Sequence, residues 1–235
     1  MSFKNHYLTV LSVILAFTSV FFNCSSGQSQ EFKYEKAVKN FEKQDAENPP
    51  TSETTFFVGS STFTRWKEIP NDFAEFQPVN RGFGGSTLRD WNEVATARLL
   101  SPFKPSRVVL YCGGNDMTRG ASGEQALERF KTFVAALRKS NPDVKIHVCA
   151  IHFAPVCEKS WDKFRAYNDG IKKIADEDPN IYYVDFENAV RDKDGKVRED
   201  LYLGDRLHLT RQGEELLIPL VVASIKQEIK DAAAK

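Results

Sequence analysis

Cysteine is scarce in this chain: four in 235 residues, at Cys24, Cys112, Cys149 and Cys157. No C-x-x-C pair and no Cys/His cluster occurs, which leaves a zinc site without support. An excess of one charge is missing too. Lys plus Arg and Asp plus Glu each total 32, so no phosphate-tracking surface is expected and nucleic acid is not an expected partner. Internal repeats and low-complexity tracts are absent. The long apolar run at residues 7–22 falls short of the ~20 apolar residues that span a bilayer comfortably.

That run has Lys4 before it and small polar residues directly after it, Cys24-Ser25-Ser26-Gly27. The order is that of an export signal removed on maturation. Its end resembles a bacterial lipoprotein signal, and the resemblance implies lipidation at Cys24 and anchoring of the protein in the cell envelope. Phe21-Phe22-Asn23 depart from the small residue usual before such a cysteine, and plain cleavage nearby is the alternative. Cys112 and Cys149 sit in apolar runs and read as small buried hydrophobes. In an oxidising compartment Cys149 and Cys157 are close enough in sequence for a bridge to be conceivable.

The chain as a whole, 41% hydrophobic and 27% charged, has the composition of a globular protein. The division expected is an export signal at 1–23, a linker with an amphipathic helix at 24–53 and a main domain at 54–235. In the linker, residues 31–47 place Phe32, Tyr34, Ala37, Val38 and Phe41 at near-helical spacing, and Asn48-Pro49-Pro50 ends the helix. Beyond it, short apolar segments alternate with helical patterns. Strands are expected at 55–58, 77–80, 107–112, 145–151 and 181–186, and helices at 62–67, 86–100, 123–139, 159–176 and 211–230. Such alternation predicts an α/β fold of three layers, α/β/α, with a five-stranded parallel sheet. Sites in such folds lie beyond the carboxyl ends of the strands.

Four motifs fall there. Phe57-Val58-Gly59-Ser60-Ser61-Thr62 turns a strand into a helix, so that a serine opens the helix with its N–H unpaired. An N-cap role for either serine is the ordinary reading. Asn80-Arg81-Gly82-Phe83-Gly84-Gly85-Ser86-Thr87 follows the second strand, where a glycine brings bare backbone N–H close to a ligand. It lacks the G-x-G-x-x-G spacing of a nucleotide loop. Tyr111-Cys112-Gly113-Gly114-Asn115-Asp116 ends the third strand, and Asn115 offers a side-chain donor to a developing oxyanion; its alternative is an Asx-turn, with Asp116 ordering the loop. Asp205-Arg206-Leu207-His208 precedes the last helix at a separation that lets the carboxylate reach the near ring nitrogen of the imidazole. Thr210 is the expected helix cap.

In order and placement the four motifs resemble the conserved blocks of SGNH (GDSL-like) hydrolases, over roughly residues 56–213. The resemblance implies a flavodoxin-like SGNH hydrolase fold and a serine esterase that needs no cofactor. By position, Ser61 matches the nucleophile, Gly85 the block glycine, Asn115 the block asparagine, and Asp205 with His208 the D-x-x-H pair. The oxyanion hole would be the N–H groups of Ser61 and Gly85 with the Asn115 side chain. The first block departs from G-D-S, since Ser60 stands in the middle and leaves two adjacent serines. Substrates would be short-chain acyl or acetyl esters of small molecules, polysaccharides or lipids. The competing reading is an envelope binding protein that kept the fold without its chemistry.

Other residues carry plainer expectations. His147 and His152 lie five apart on or beside a strand and need not share a face, so a metal pair is not expected. Trp66, Trp91 and Trp161 read as packing or pocket-wall groups. Arg65 and Arg81 lie near the motifs, where they would meet either an anionic substrate or water.

Overall fold

A computed structural model describes residues 32–234; the export segment and Cys24 lie outside the described residues. Five strands form one sheet: β1 (Thr55–Gly59), β2 (Pro78–Gly82), β3 (Arg107–Tyr111), β4 (Lys145–Cys149) and β5 (Ile181–Val184). The helices are α1 (Glu35–Glu47), α2 (Ser61–Arg65), α3 (Ile69–Asp72), α4 (Leu88–Asp90), α5 (Thr96–Leu99), α6 (Gly114–Thr118), α7 (Gly123–Ser140), α8 (Trp161–Glu177), α9 (Phe186–Ala189) and α10 (Arg211–Ala233).

The sheet is parallel throughout, with order β2-β1-β3-β4-β5. Phe56, Phe57 and Val58 of β1 and Val108, Val109 and Leu110 of β3 are fully buried. Burial on both faces is why these strands read as continuous apolar runs. Helices complete the expected three-layer α/β/α arrangement; α7 packs on α8, and α10 lies against β4 and β5. The first strand lies one in from an edge; the chain steps out from it to β2 and returns across β1 to β3. That reversal opens a crevice beyond the carboxyl ends of β1 and β3.

Every expected strand forms; four of the five begin where expected, and the far ends shift by one or two residues. The helix expected at 86–100 is broken: α4 passes through a wider π turn at Trp91–Ala95 into α5. Thr87 starts it with a capping box, its hydroxyl accepting from the Asp90 N–H while Asp90 accepts from the Thr87 N–H. The short helices α3, α6 and α9 were not expected, since one turn of helix leaves no periodic pattern.

Helix α1 docks along α5. Val38 is fully buried, Phe41 lies under the Arg81 guanidinium at 5.1 Å, and the Tyr34 ring meets Phe83 at 4.9 Å. Arg98 of α5 bonds Glu35 at 2.6 Å and Glu42 at 2.7 Å. Arg81, expected at a substrate site or in solvent, is instead buried in an ion pair with Asp45 of α1. A buried arginine needs that partner, because a lone buried charge is far costlier than a paired one.

The three described cysteines are free, so no Cys149–Cys157 bridge forms. His147 is buried within β4, its Nδ1 2.7 Å from Ser224 Oγ and its Nε2 3.4 Å from Glu228, which also pairs with Arg107. Among the described residues no group of three or more His, Cys, Asp or Glu side chains could hold a metal ion. Nor is any described helix long and apolar enough to cross a membrane.

Candidate active site

The turn from β1 into α2 is tight for a specific reason. A side chain on Gly59 would collide with the Tyr111 carbonyl oxygen of the neighbouring strand. Ser60 is buried and its N–H is tied to that same oxygen at 3.3 Å. Ser61 is the first residue of α2, where a helix leaves its N–H groups without helical partners.

Gly85 has φ +79°, a left-handed conformation that favours glycine. Its turn is fastened to β1 through Gly59, whose carbonyl accepts from the Phe83 N–H at 3.1 Å and from the Ser86 hydroxyl at 3.0 Å. The Ser86 carbonyl in turn accepts from the Asn115 side-chain amide at 3.0 Å. One hydrogen of that amide is thereby used to aim the group, and the other is left for a ligand. Asp116 does order this region, as expected: buried, it accepts from the Leu88 N–H at 2.9 Å and pairs with Arg129 at 2.7 Å.

The last motif closes the site from the far side. Arg206 takes a left-handed φ of +55°, which folds the chain back between Asp205 and His208. Asp205 Oδ1 accepts the N–H groups of Leu207 and His208, both at 3.0 Å, and Oδ2 lies 2.7 Å from His208 Nδ1. The His208 N–H foremost, then its ring and the Leu207 N–H, hold the Asp205 carboxyl well below the usual carboxylate range. Its charge therefore fixes the hydrogen of His208 on Nδ1. His208 Nε2 is buried and makes no hydrogen bond. Thr210 caps α10 as expected, accepting from the Gly213 N–H at 3.2 Å.

Ser60, Ser61, Asn115 and His208 line one cavity of about 350 Å³, large enough for a small ligand. Neither Gly84 nor Gly85 is among the cavity residues, although a Cβ added to Gly84 would lie 4.0 Å from that of Ser61. Ile151, Ala154, Val156, Phe164 and Leu207 supply an apolar wall, with Lys159 at its edge. Arg65 is exposed and not among the cavity residues. Trp66 and Trp91 are core residues, and Trp161 pins the Ala154 carbonyl at 3.0 Å.

Two residues at the site carry no site expectation in the sequence. Tyr34, the residue just before α1, donates its hydroxyl to the Gly85 carbonyl at 2.6 Å, a contact across 51 residues that no local pattern signals. His152 lies in the cavity wall just past β4. Its place beyond a strand's carboxyl end was the available signal.

A parallel sheet carries Ser61, Gly85, Asn115 and the Asp205–His208 pair beyond its carboxyl edge, and the comparisons with known proteins identify a hydrolase acting on ester bonds. Among solved structures, a protein from Bacteroides fragilis described as an acylhydrolase is 22% identical, covers 80% of this chain and 95% of its own, and superposes with a TM-score of 0.70. A GDSL-like lipase from Bacteroides thetaiotaomicron is 21% identical over 83% of this chain and 98% of its own, with a TM-score of 0.66. A carbohydrate esterase family 3 protein from Talaromyces cellulolyticus is 17% identical over 76% and 98%, with a TM-score of 0.61. At these identities the likeness establishes the fold. No curated protein matches. Residues 52–216 match the GDSL-like Lipase/Acylhydrolase family, and the chain belongs to it.

Proposed function

We propose that the protein hydrolyses short-chain acyl or acetyl esters through an acyl-enzyme on Ser61. The observation that carries this reading is the Asp205–His208 pair: Nδ1 is held at 2.7 Å while the buried, unbonded Nε2 belongs to the cavity that Ser61 lines. His208 Nε2 takes the Ser61 hydroxyl proton as Oγ attacks the ester carbonyl. Asp205 keeps the ring oriented and stabilises the imidazolium that results. The N–H groups of Ser61 and Gly85 and the Asn115 amide receive the oxyanion. His208 then hands the proton to the departing alcohol, and a water activated by the same ring releases the acid.

The cavity volume and its apolar wall suit a short acyl group, and the apolar segment at 7–22 supports export toward esters outside the cytoplasm. Fluorophosphonate labelling of the purified protein, with the adduct located by peptide mass spectrometry, tests the assignment. An adduct on Ser61 is expected. An adduct on Ser60 would move the nucleophile by one residue, and folded protein that takes no label at neutral pH would overturn the reading.

A further inference from the structure

The cavity holds a second histidine that the proposed mechanism does not use. His152 is only 3% exposed, yet it lines the cavity beside Tyr111 and His208. Its ring is fixed on two sides. It stacks on Tyr111 with centroids 5.5 Å apart and planes 22° from parallel, and its Nδ1 lies 3.1 Å from the Tyr202 hydroxyl. Tyr202 also meets the ring edge-on at 5.5 Å. Nε2 is left buried without a hydrogen-bond partner.

Buried polar groups are normally partnered, and one held rigidly against a cavity needs a reason to stay bare. The residues lining this cavity include no carboxylate that could accept from it. Burial first, and then charge repulsion from the neighbouring His208, push His152 down to about 4, so its ring is neutral near pH 7. Assigning the Tyr202 hydroxyl as the donor to Nδ1 places the ring hydrogen on Nε2, the ring nitrogen left without a partner in this cavity-lining residue.

We propose that His152 Nε2 donates a hydrogen bond to a substrate oxygen beside the scissile ester, making the site selective for oxygen-bearing esters over plain alkyl esters. The proposal rests on the reading that Ser61 and His208 cleave an ester in this cavity. A neutral donor is suited to the task. It recognises an ether, hydroxyl or carbonyl oxygen without placing a second cation next to His208, which must itself become charged. A substrate that lacks the oxygen would leave the donor buried and unpaired, and that penalty is the source of discrimination.

The test compares kcat/KM for two matched pairs of esters that differ by one CH₂ replaced by oxygen. On the acyl side these are p-nitrophenyl methoxyacetate and p-nitrophenyl butyrate; on the alcohol side, 2-methoxyethyl butyrate and butyl butyrate. Intrinsic reactivity cancels when each ratio is compared between wild type and variant. We expect the oxygen-to-carbon ratio of one pair to fall about tenfold in His152→Phe, which keeps an aromatic ring on Tyr111 but no nitrogen. The pair affected tells which side of the ester the donor meets. His152→Gln, with an amide hydrogen near the Nε2 position, should recover part of the ratio. His152→Asn, whose amide reaches only the Nδ1 position, should not, and this comparison stands even if His152→Phe fails to fold. Ratios unchanged within twofold for both pairs in folded variants would overturn the inference. Fluorophosphonate labelling of Ser61 in the same variants separates that failure from failure of the catalytic assignment.

Discussion

The Tyr34 hydroxyl and the Gly85 carbonyl are joined by a 2.6 Å hydrogen bond, so a residue at the start of α1 holds the glycine whose own N–H, one peptide unit earlier, is proposed to meet the oxyanion. Small displacements of an oxyanion donor are expensive in rate. Tyr34→Phe should lower kcat on the order of tenfold while costing only about 1 kcal/mol of stability. Steady-state ester hydrolysis set beside a denaturant melt checks this, and an unchanged kcat would reduce Tyr34 to packing.

Ser61→Ala should lower kcat by roughly 10⁴ or more. Ser60→Ala should keep most of the activity, because the Ser60 N–H, which the substitution retains, is what ties this residue to Tyr111. Turnover of a chromogenic ester by the two variants decides between the adjacent serines.

Asp205→Asn keeps the size of the side chain and removes the charge that fixes the His208 tautomer. A fall in kcat on the order of 10³–10⁴ at neutral pH is expected, the scale found when a triad carboxylate becomes an amide. Full kcat in this variant would show that His208 needs no acid partner.

Asn115→Ala removes one proposed oxyanion donor and should cost on the order of 10²–10³ in kcat. The Ser86 carbonyl loses its amide partner at the same time, so the melt should be measured too. A stable variant with undiminished kcat would take Asn115 out of the hole.

Glu214, near the start of α10, gives a pH signature in stability. Burial, opposed by Arg211 but reinforced by Asp72 and Glu68, raises its carboxyl to about 7. The folded chain then binds more protons than the unfolded chain between about 4.5 and 7. Its contribution is therefore favourable below that window and is lost as pH rises through it, on the order of 2 kcal/mol. Glu214→Gln should flatten the decline of the melting temperature between pH 5 and 8. The same decline in both proteins would place its origin elsewhere.

The sheet and the Asp205–His208 pair were legible because their determinants are local. Apolar runs such as Thr55-Phe56-Phe57-Val58 need only their neighbours to be read, and three residues across a turn fix the distance from Asp205 to His208. The strand ends were less legible, since Lys145-Ile146-His147-Val148-Cys149-Ala150-Ile151 continues its apolar character past the last sheet pairing at Cys149. Long-range contacts left no trace at all. Arg81 reads as a surface cation until Asp45 of α1 is found to cover it, and Tyr34 reads as one more apolar position on a helix. In the sequence His152 reads only as half of a disfavoured metal pair with His147, whereas its partners are Tyr111 and Tyr202, 41 and 50 positions away in the chain.

The docking of α1 bears on where the chain can be cut. A shortened protein covering only the family-matching stretch, 52–216, would keep every proposed catalytic residue and look complete on paper. It would strip the carboxylates from Arg81 and Arg98, uncover Phe83, and sever α10 after its first turns. Expression boundaries for this enzyme belong outside α1 and α10, and a tether attached ahead of residue 35 would pull on the helix that steadies Gly85.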